Sequence, residues 1–275
     1  MPELPEVETT RLGLLPKLLG RRIENVVVRD SRLRWPIPSD IGSTLQGKVV
    51  RQLFRRGKYL LWDVGSDTQG GLLLCHLGMS GSIFSTPRDS APNKHDHVDF
   101  LLDDDSMIRY HDPRRFGAIL WIAGKTPQHP LLDHLGPEPL GPDFSAEHLF
   151  KRSRGRSLSV KEFIMDAHIV VGVGNIYASE SLFGAGIRPT IAAGRVSLRR
   201  YQALTVAIRE TLSNAIAAGG SSLRDYVQAD GNLGYFQLKA MVYDREGQRC
   251  RNCAGSIRAI RQGQRSTFYC PRCQT

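Results

Sequence analysis

From residue 22 to about 122 the chain alternates short apolar runs with polar punctuation, and this pattern predicts strands. The runs fall at 23–29, 49–54, 59–64, 72–77, 82–85, 98–102, 107–110 and 118–122, with Gly, Asp and Pro clusters between them. Eight short strands with close turns point to a sandwich or barrel. Ahead of them, 5–19 reads as a helix. Pro5 suits its first turn and Gly20 its end, and Pro16 should kink or split it.

Residues 124–143 hold Pro127, Pro130, Pro137, Pro139 and Pro142 and read as a linker. The period then becomes helical. Asp143 or Ser145 can cap a helix to about 152, and Ser159 with Glu162 makes a capping box for a second. A third helix is expected over 175–183. A fourth is expected over 197–218, with Leu198, Tyr201, Leu204, Ile208, Leu212 and Ile216 on one face and Gly219-Gly220 as its stop. A short helix at 221–228 should follow. The expected fold is α+β in two domains. An N-terminal helix with a β-sandwich occupies 1–123, a linker 124–143, a helical domain 144–238 and a cysteine hairpin 239–275.

Composition narrows the class. The chain has 275 residues, is 41% hydrophobic and carries a formal charge of +10. That charge favours a polyanionic partner, nucleic acid first. Eight of the basic residues fall between Lys239 and Thr275, against two acidic ones. No apolar run approaches the ~20 residues that span a bilayer, and three Glu precede the first basic residue, Arg11, so no secretory leader is expected. The reading is a cytoplasmic protein.

Four of the five cysteines form Cys250-x2-Cys253-x16-Cys270-x2-Cys273, the spacing of a four-thiolate zinc site. Four thiolates leave no open position on the metal, so the zinc is read as structural. Runs at 256–260 and 266–269 around Gln262-Gly263-Gln264 suggest a hairpin that presents Arg258, Arg261 and Arg265 to phosphate. Cys75, alone in an apolar run, reads as a buried small hydrophobe.

The opening Met-Pro-Glu-Leu-Pro-Glu-Val-Glu carries the candidate chemistry. Removal of the initiator would leave Pro2 with a secondary amine. An α-amino group has a pKa of about 7.7–8.0, so part of it is nucleophilic near neutrality. Attack on an aldehyde-like carbon gives an iminium, with Glu3 and Glu6 beside it to move protons. The same residues also suit an ordinary acidic first turn of a helix.

Other constellations are open on pattern alone. Gly172-Val173-Gly174-Asn175 lies between two helices, a helix–two-turn–helix arrangement, and Asn175 can cap the second helix beside a phosphate. Lys58 follows Arg55-Arg56-Gly57 at a strand entrance. His95-Asp96-His97 is a phosphate contact or plain structure rather than a metal pair. Met79 in Gly78-Met79-Ser80-Gly81 and Phe116 in Asp112-Pro113-Arg114-Arg115-Phe116-Gly117 are either core residues or wedges between bases.

Together these blocks resemble the formamidopyrimidine-DNA glycosylase family of bacterial repair enzymes. The resemblance runs from the opening residues through Arg56-Gly57-Lys58-Tyr59-Leu60, His76-Leu77-Gly78-Met79-Ser80-Gly81, Lys94-His95-Asp96-His97-Val98 and the Asp112–Gly117 block. It continues through 171–180 and Asp230-Gly231 to Arg265-Ser266-Thr267-Phe268-Tyr269-Cys270. Leu4-Pro5-Glu6-Val7 favours this branch over the related endonuclease VIII branch.

The resemblance implies a DNA glycosylase and abasic-site lyase, acting on 8-oxoguanine and ring-opened purines in duplex DNA. It implies one structural zinc, no obligate protein partner, a monomer, and residence at the bacterial nucleoid. It gives Pro2 as the nucleophile at C1′, Glu3 as the acid/base at the sugar, and Lys58 and Arg265 as phosphate contacts that assist elimination. It gives His95, Arg114, Arg156 and Asn175 as DNA contacts, and Met79, Arg114 and Phe116 as void-filling residues. The loop 230–236 would cover a flipped base. Departures stand at Ala167 and His168, at Leu233 where Pro is common, and at Asp244 where Gly is common. The alternative readings are a close relative, an oxidised-pyrimidine glycosylase, and, from another class, a zinc-dependent DNA binder without catalysis.

Overall fold

Alternation of buried and exposed side chains lets each strand give one face to a core and the other to water. In the computed structural model, which describes residues 2–66, 70–124, 128–220 and 240–275, all eight expected strands form. They are Ile23–Val28 (β1), Val49–Arg56 (β2), Tyr59–Gly65 (β3), Gly70–His76 (β4), Ser82–Pro87 (β5), Asp96–Leu102 (β6), Ser106–His111 (β7) and Ala118–Ala123 (β8). They make two antiparallel four-stranded sheets, ordered β1-β6-β7-β5 and β2-β3-β4-β8. The sheets close over one apolar core, where the rings of Trp62 in β3 and Phe100 in β6 lie 5.1 Å apart. Cys75 in β4 is fully buried in it, and burial pushes its thiol pKa up.

Helix α1, Leu4–Leu18, adds Val7, Leu14 and Leu18 to the same core. Pro16 lies inside it without splitting it. Pro16 and Leu12 are both exposed, so water can take the carbonyl that lacks a donor. A five-residue helix, Ile41–Leu45 (α2), was not anticipated because it is too short to show a period.

The chain divides into two compact units. The first is Met1–Asp133 with Ala218–Tyr235, and the second is His134–Ala217 with Phe236–Thr275. The second unit holds Ala146–Ser153 (α3), Val160–Met165 (α4), Asn175–Gly184 (α5), Leu198–Ala217 (α6) and the hairpin Arg258–Gln262 (β9) and Arg265–Tyr269 (β10). Ser145, not Asp143, caps α3 by accepting from the His148 amide, and Ser159 caps α4 by accepting from the Glu162 amide. On α6, Tyr201, Leu204, Ile208 and Leu212 are buried as their spacing requires. The expected helix at 221–228 and the loop at 230–236, with Leu233, lie outside the described residues. Among the described residues no helix is long and apolar enough to cross a membrane.

Glu180 on α5 fixes the approach to the hairpin. Its buried carboxylate accepts the amides of Met241 (2.8 Å), Val242 (3.0 Å) and Tyr243 (2.8 Å). The next residue, Asp244, has φ +57, which explains why glycine suits that position and shows that aspartate also occupies it. Replacing Glu180 by Ala leaves three amides without their acceptor. The expected loss is about 3 kcal/mol, read from the urea midpoint of the zinc-loaded protein.

Candidate active site and metal centre

The opening turn is closed on itself. Glu3 is the N-cap of α1, and its side chain accepts from the Glu6 amide while the Glu6 carboxylate accepts from the Glu3 amide at 2.8 Å. Both carboxylates are buried, and Pro2 is buried beside them. The capping arrangement and the placing of two carboxylates beside Pro2 are therefore the same structure.

One turn on, Glu8 ties α1 to the strand that leads to Lys58. It accepts from Arg11 Nε at 3.0 Å and from Arg55 Nε at 2.9 Å. Burial would raise the Glu8 pKa, but Arg11 and Arg55 outweigh it and hold the carboxyl below its usual range. Arg55 also donates to the Gly57 carbonyl at 2.9 Å, which fixes the β2–β3 turn that carries half-buried Lys58.

His76 belongs to this neighbourhood, although its sequence pattern did not single it out as a site residue. Its ring lies 4.9 Å from Tyr59, and its Nδ1 accepts the Gly78 amide at 3.1 Å, which puts the ring proton on Nε2. Burial, then the charges of Lys58 and Arg34, push its pKa down to about 4. The only sequence signal was its place at the head of the His76–Gly81 block.

His95 is half-exposed, with its ring edge-on to His97 (6.4 Å) and His111 (6.0 Å). The supports are buried. Asp96 accepts from His111 Nδ1 at 2.7 Å, His97 Nε2 contacts the Asp112 carbonyl at 2.8 Å, and Arg109 pairs with Asp99 at 2.8 Å. Asp96 and His97 are thus spent on structure. Arg114 and Phe116 are exposed on the turn after β7, the guanidinium 4.8 Å from the ring centroid. Met79 is exposed on the turn after β4.

In the second unit Asn175 is the first residue of α5, not its cap. Extended Gly174 holds the cap position. The Asn175 Oδ1 accepts instead from the buried ammonium of Lys161 at 2.6 Å. Lysine can only donate, so the Asn175 amide NH2 must face away from it. The same ammonium donates to Thr267 Oγ1 (2.6 Å) and the Ser266 carbonyl (3.2 Å), next to Arg265 at the exposed start of β10. Arg156 is exposed, 5.8 Å from the Phe163 ring. At the departure from the family pattern, Asp166 accepts from both the amide (2.9 Å) and Nδ1 (2.8 Å) of His168, and Ala167 is exposed.

The ligand atoms of Cys250, Cys253, Cys270 and Cys273 all lie within 4.8 Å of one another. Cys250 and Cys273 are 3.8 Å apart and Cys253 and Cys270 3.4 Å. A tetrahedron with Zn–S bonds of about 2.3 Å has edges of roughly 3.8 Å, so the donor set fits one zinc. The match to a zinc finger found in FPG and IleRS covers 247–275.

Two further family matches lie ahead of it in the chain. The formamidopyrimidine-DNA glycosylase N-terminal domain matches residues 1–119 and the H2TH domain of the same enzymes matches 135–227. A formamidopyrimidine-DNA glycosylase of Acidithiobacillus ferrooxidans is 55% identical over 274 residues, covering 100% of both chains. The chain belongs to the formamidopyrimidine-DNA glycosylase family. It is an enzyme of the DNA glycosylase class. The crystal structure of the MutM (Fpg) protein from Thermus thermophilus matches with TM-score 0.88 and 36% identity, over 99% of this chain and 98% of that one. Lactococcus lactis Fpg in complex with abasic-site DNA matches with TM-score 0.90 and 32% identity over 99% of each. A substituted form of that protein, solved with Fapy-dG DNA, matches at 0.91 and 32% over 100% of each.

Removing the zinc by chelation should unpair β9 and β10, so hydrogen exchange should accelerate over 258–269 while the sandwich strands keep their protection. A second expectation concerns acid. Because the folded His76 pKa lies below its unfolded value of 6.5, the unfolded chain binds the proton first as pH falls. Stability is whole above pH 6.5 and is lost down to about pH 4, by about 2 kcal/mol after allowance for partial exposure. His76→Gln should flatten that part of the pH–stability curve.

Proposed function

We propose that the chain excises oxidised purines, 8-oxoguanine and formamidopyrimidines, from duplex DNA and then cleaves the abasic site through a Schiff base on Pro2. The observation that carries this reading is the buried opening turn. Pro2 stands beside two carboxylates there, and Glu8 ties the helix to the strand before Lys58. The DNA held by the Lactococcus lactis relative supports the substrate class.

The damaged base first leaves the stack, since C1′ is inaccessible within a duplex. The unprotonated Pro2 nitrogen bonds to C1′ as the glycosidic bond breaks, and the departing base takes up a proton. Glu3 moves protons at the sugar as its ring opens to the iminium. The iminium accepts electron pairs. Loss of a C2′ proton expels the 3′ phosphate, and loss of the C4′ proton then expels the 5′ phosphate. Water releases the sugar fragment from Pro2. No redox partner is required.

Lys58 and Arg265 hold phosphate and assist the eliminations. His76 offers a neutral Nε2–H donor beside Lys58, and Asn175 offers its amide at the start of α5. His95, Arg114 and Arg156 grip the backbone, and Met79, Arg114 and Phe116 fill the gap left by the base. The enzyme works as a monomer in the bacterial cytoplasm, at the nucleoid. Its domains fall at 1–123, 144–238 and 239–275, with 124–143 as linker.

Borohydride trapping on a duplex with one 8-oxoguanine tests the reading. The native terminus should give a covalent adduct, and a version with residues added ahead of Pro2 should give none. Adducts from both would move the nucleophile to a lysine, Lys58 first. Absence of an adduct even on a plain abasic duplex would leave a DNA binder without lyase chemistry.

A further inference from the structure

Met79 and Phe116 are exposed at 37% and 44%, unusual for large apolar side chains. They come from separate turns, after β4 and after β7, yet the two turns pack backbone to backbone. A Cβ on Gly78 would lie 2.5 Å from the Phe116 carbonyl carbon and 2.6 Å from the Gly117 nitrogen. A Cβ on Gly117 would lie 2.4 Å from the His76 carbonyl oxygen and 1.7 Å from the Tyr110 hydroxyl. Neither position can take a larger residue without separating the turns.

Under this seam sits Tyr110, fully buried. Its hydroxyl donates to the His76 carbonyl at 3.1 Å, where β4 runs into the first turn. It also reaches Asp112 Oδ2 at 3.3 Å, where the second turn begins. The same carboxylate oxygen accepts the Gly117 amide at 2.8 Å and closes the second turn. The Asp112 amide donates to the His95 carbonyl at 3.0 Å. Burial, then the Asp112 charge, raise the phenol pKa well above its ordinary value, so the hydroxyl stays a donor. One proton is thus shared between the two turns, and neither can move alone without breaking its bond.

We propose that Tyr110 is a positioning residue that locks the Met79 and Phe116 turns into one unit, so that both side chains enter the duplex together as the lesion base leaves. This rests on the wedge roles proposed above. The lock matters for extrusion of a base and not for chemistry at a site that has already lost one.

Tyr110→Phe removes only the hydroxyl. Single-turnover rates would be measured on an 8-oxoguanine duplex and on a duplex with a preformed abasic site, each also in a Met79→Ala/Phe116→Ala background. Loss of one hydrogen bond should slow 8-oxoguanine excision about tenfold. Abasic cleavage should stay within about twofold, and the substitution should add nothing in the double-alanine background. Equal losses on both substrates, no loss on either, or a further full loss in the double-alanine background would overturn the lock. A variant that fails to fold would also overturn it, because the hydroxyl would then hold the sandwich rather than the turns. A wild-type enzyme silent on both duplexes would instead sink the functional reading itself, without reference to the variant.

Discussion

The buried ammonium of Lys161 is the interaction on which the second unit depends. A charge removed from water costs several kcal/mol unless hydrogen bonds replace its hydration. Here three acceptors do so, from Asn175, Ser266 and Thr267. They come from the start of α5 and from β10, while Lys161 itself lies on α4. If any of the three elements withdraws, a buried charge loses part of its shell. The helix start and the strand opening at Arg265 are therefore set as one piece. Zinc fixes the hairpin from its other end, and Glu180 fixes the chain that leads into it.

The first unit has a buried acidic hub, whose Oδ2 takes two hydrogen bonds while Oδ1 is left without one. Asp112 is fully buried, and its carboxylate and backbone together meet His95, His97, Tyr110 and Gly117. The exposed groups that face DNA in the proposed reaction sit one bond above that hub. Rigid support beneath and exposed chemistry above is what pre-organisation of a loop site requires, because a loop alone would leave its side chains loosely placed.

Much of the fold was legible because local pattern reports local structure. Eight alternating runs gave eight strands, and the cysteine spacing gave a hairpin whose sulfurs do converge. The failures were non-local. Lys161 reads as an ordinary helix residue until Thr267, more than a hundred positions later, returns to bury it. Asn175 was expected to cap α5, but Gly174 already held the extended cap conformation and freed Asn175 for the lysine. Pro16 was expected to kink or split α1, but the helix is not split, and the lost bond falls on the wet side of its last turn. Glu180 gave no signal because its partners are backbone amides that only the fold brings near, and Tyr110 gave none because the His76 carbonyl reaches it only across the sheets. The residues named from sequence at the candidate site are those of the exposed layer and the opening turn. The layer beneath them became visible only with the fold.

Cys75 carries a last consequence. Four of the five thiols are zinc ligands, and the fifth lies sealed in β4 with its thiolate form suppressed by burial. A thiol-reactive reagent added to the folded protein meets no competing cysteine. The count of modified thiols therefore becomes a direct gauge of metal loading, near zero when the tetrahedron is filled and approaching four as it empties.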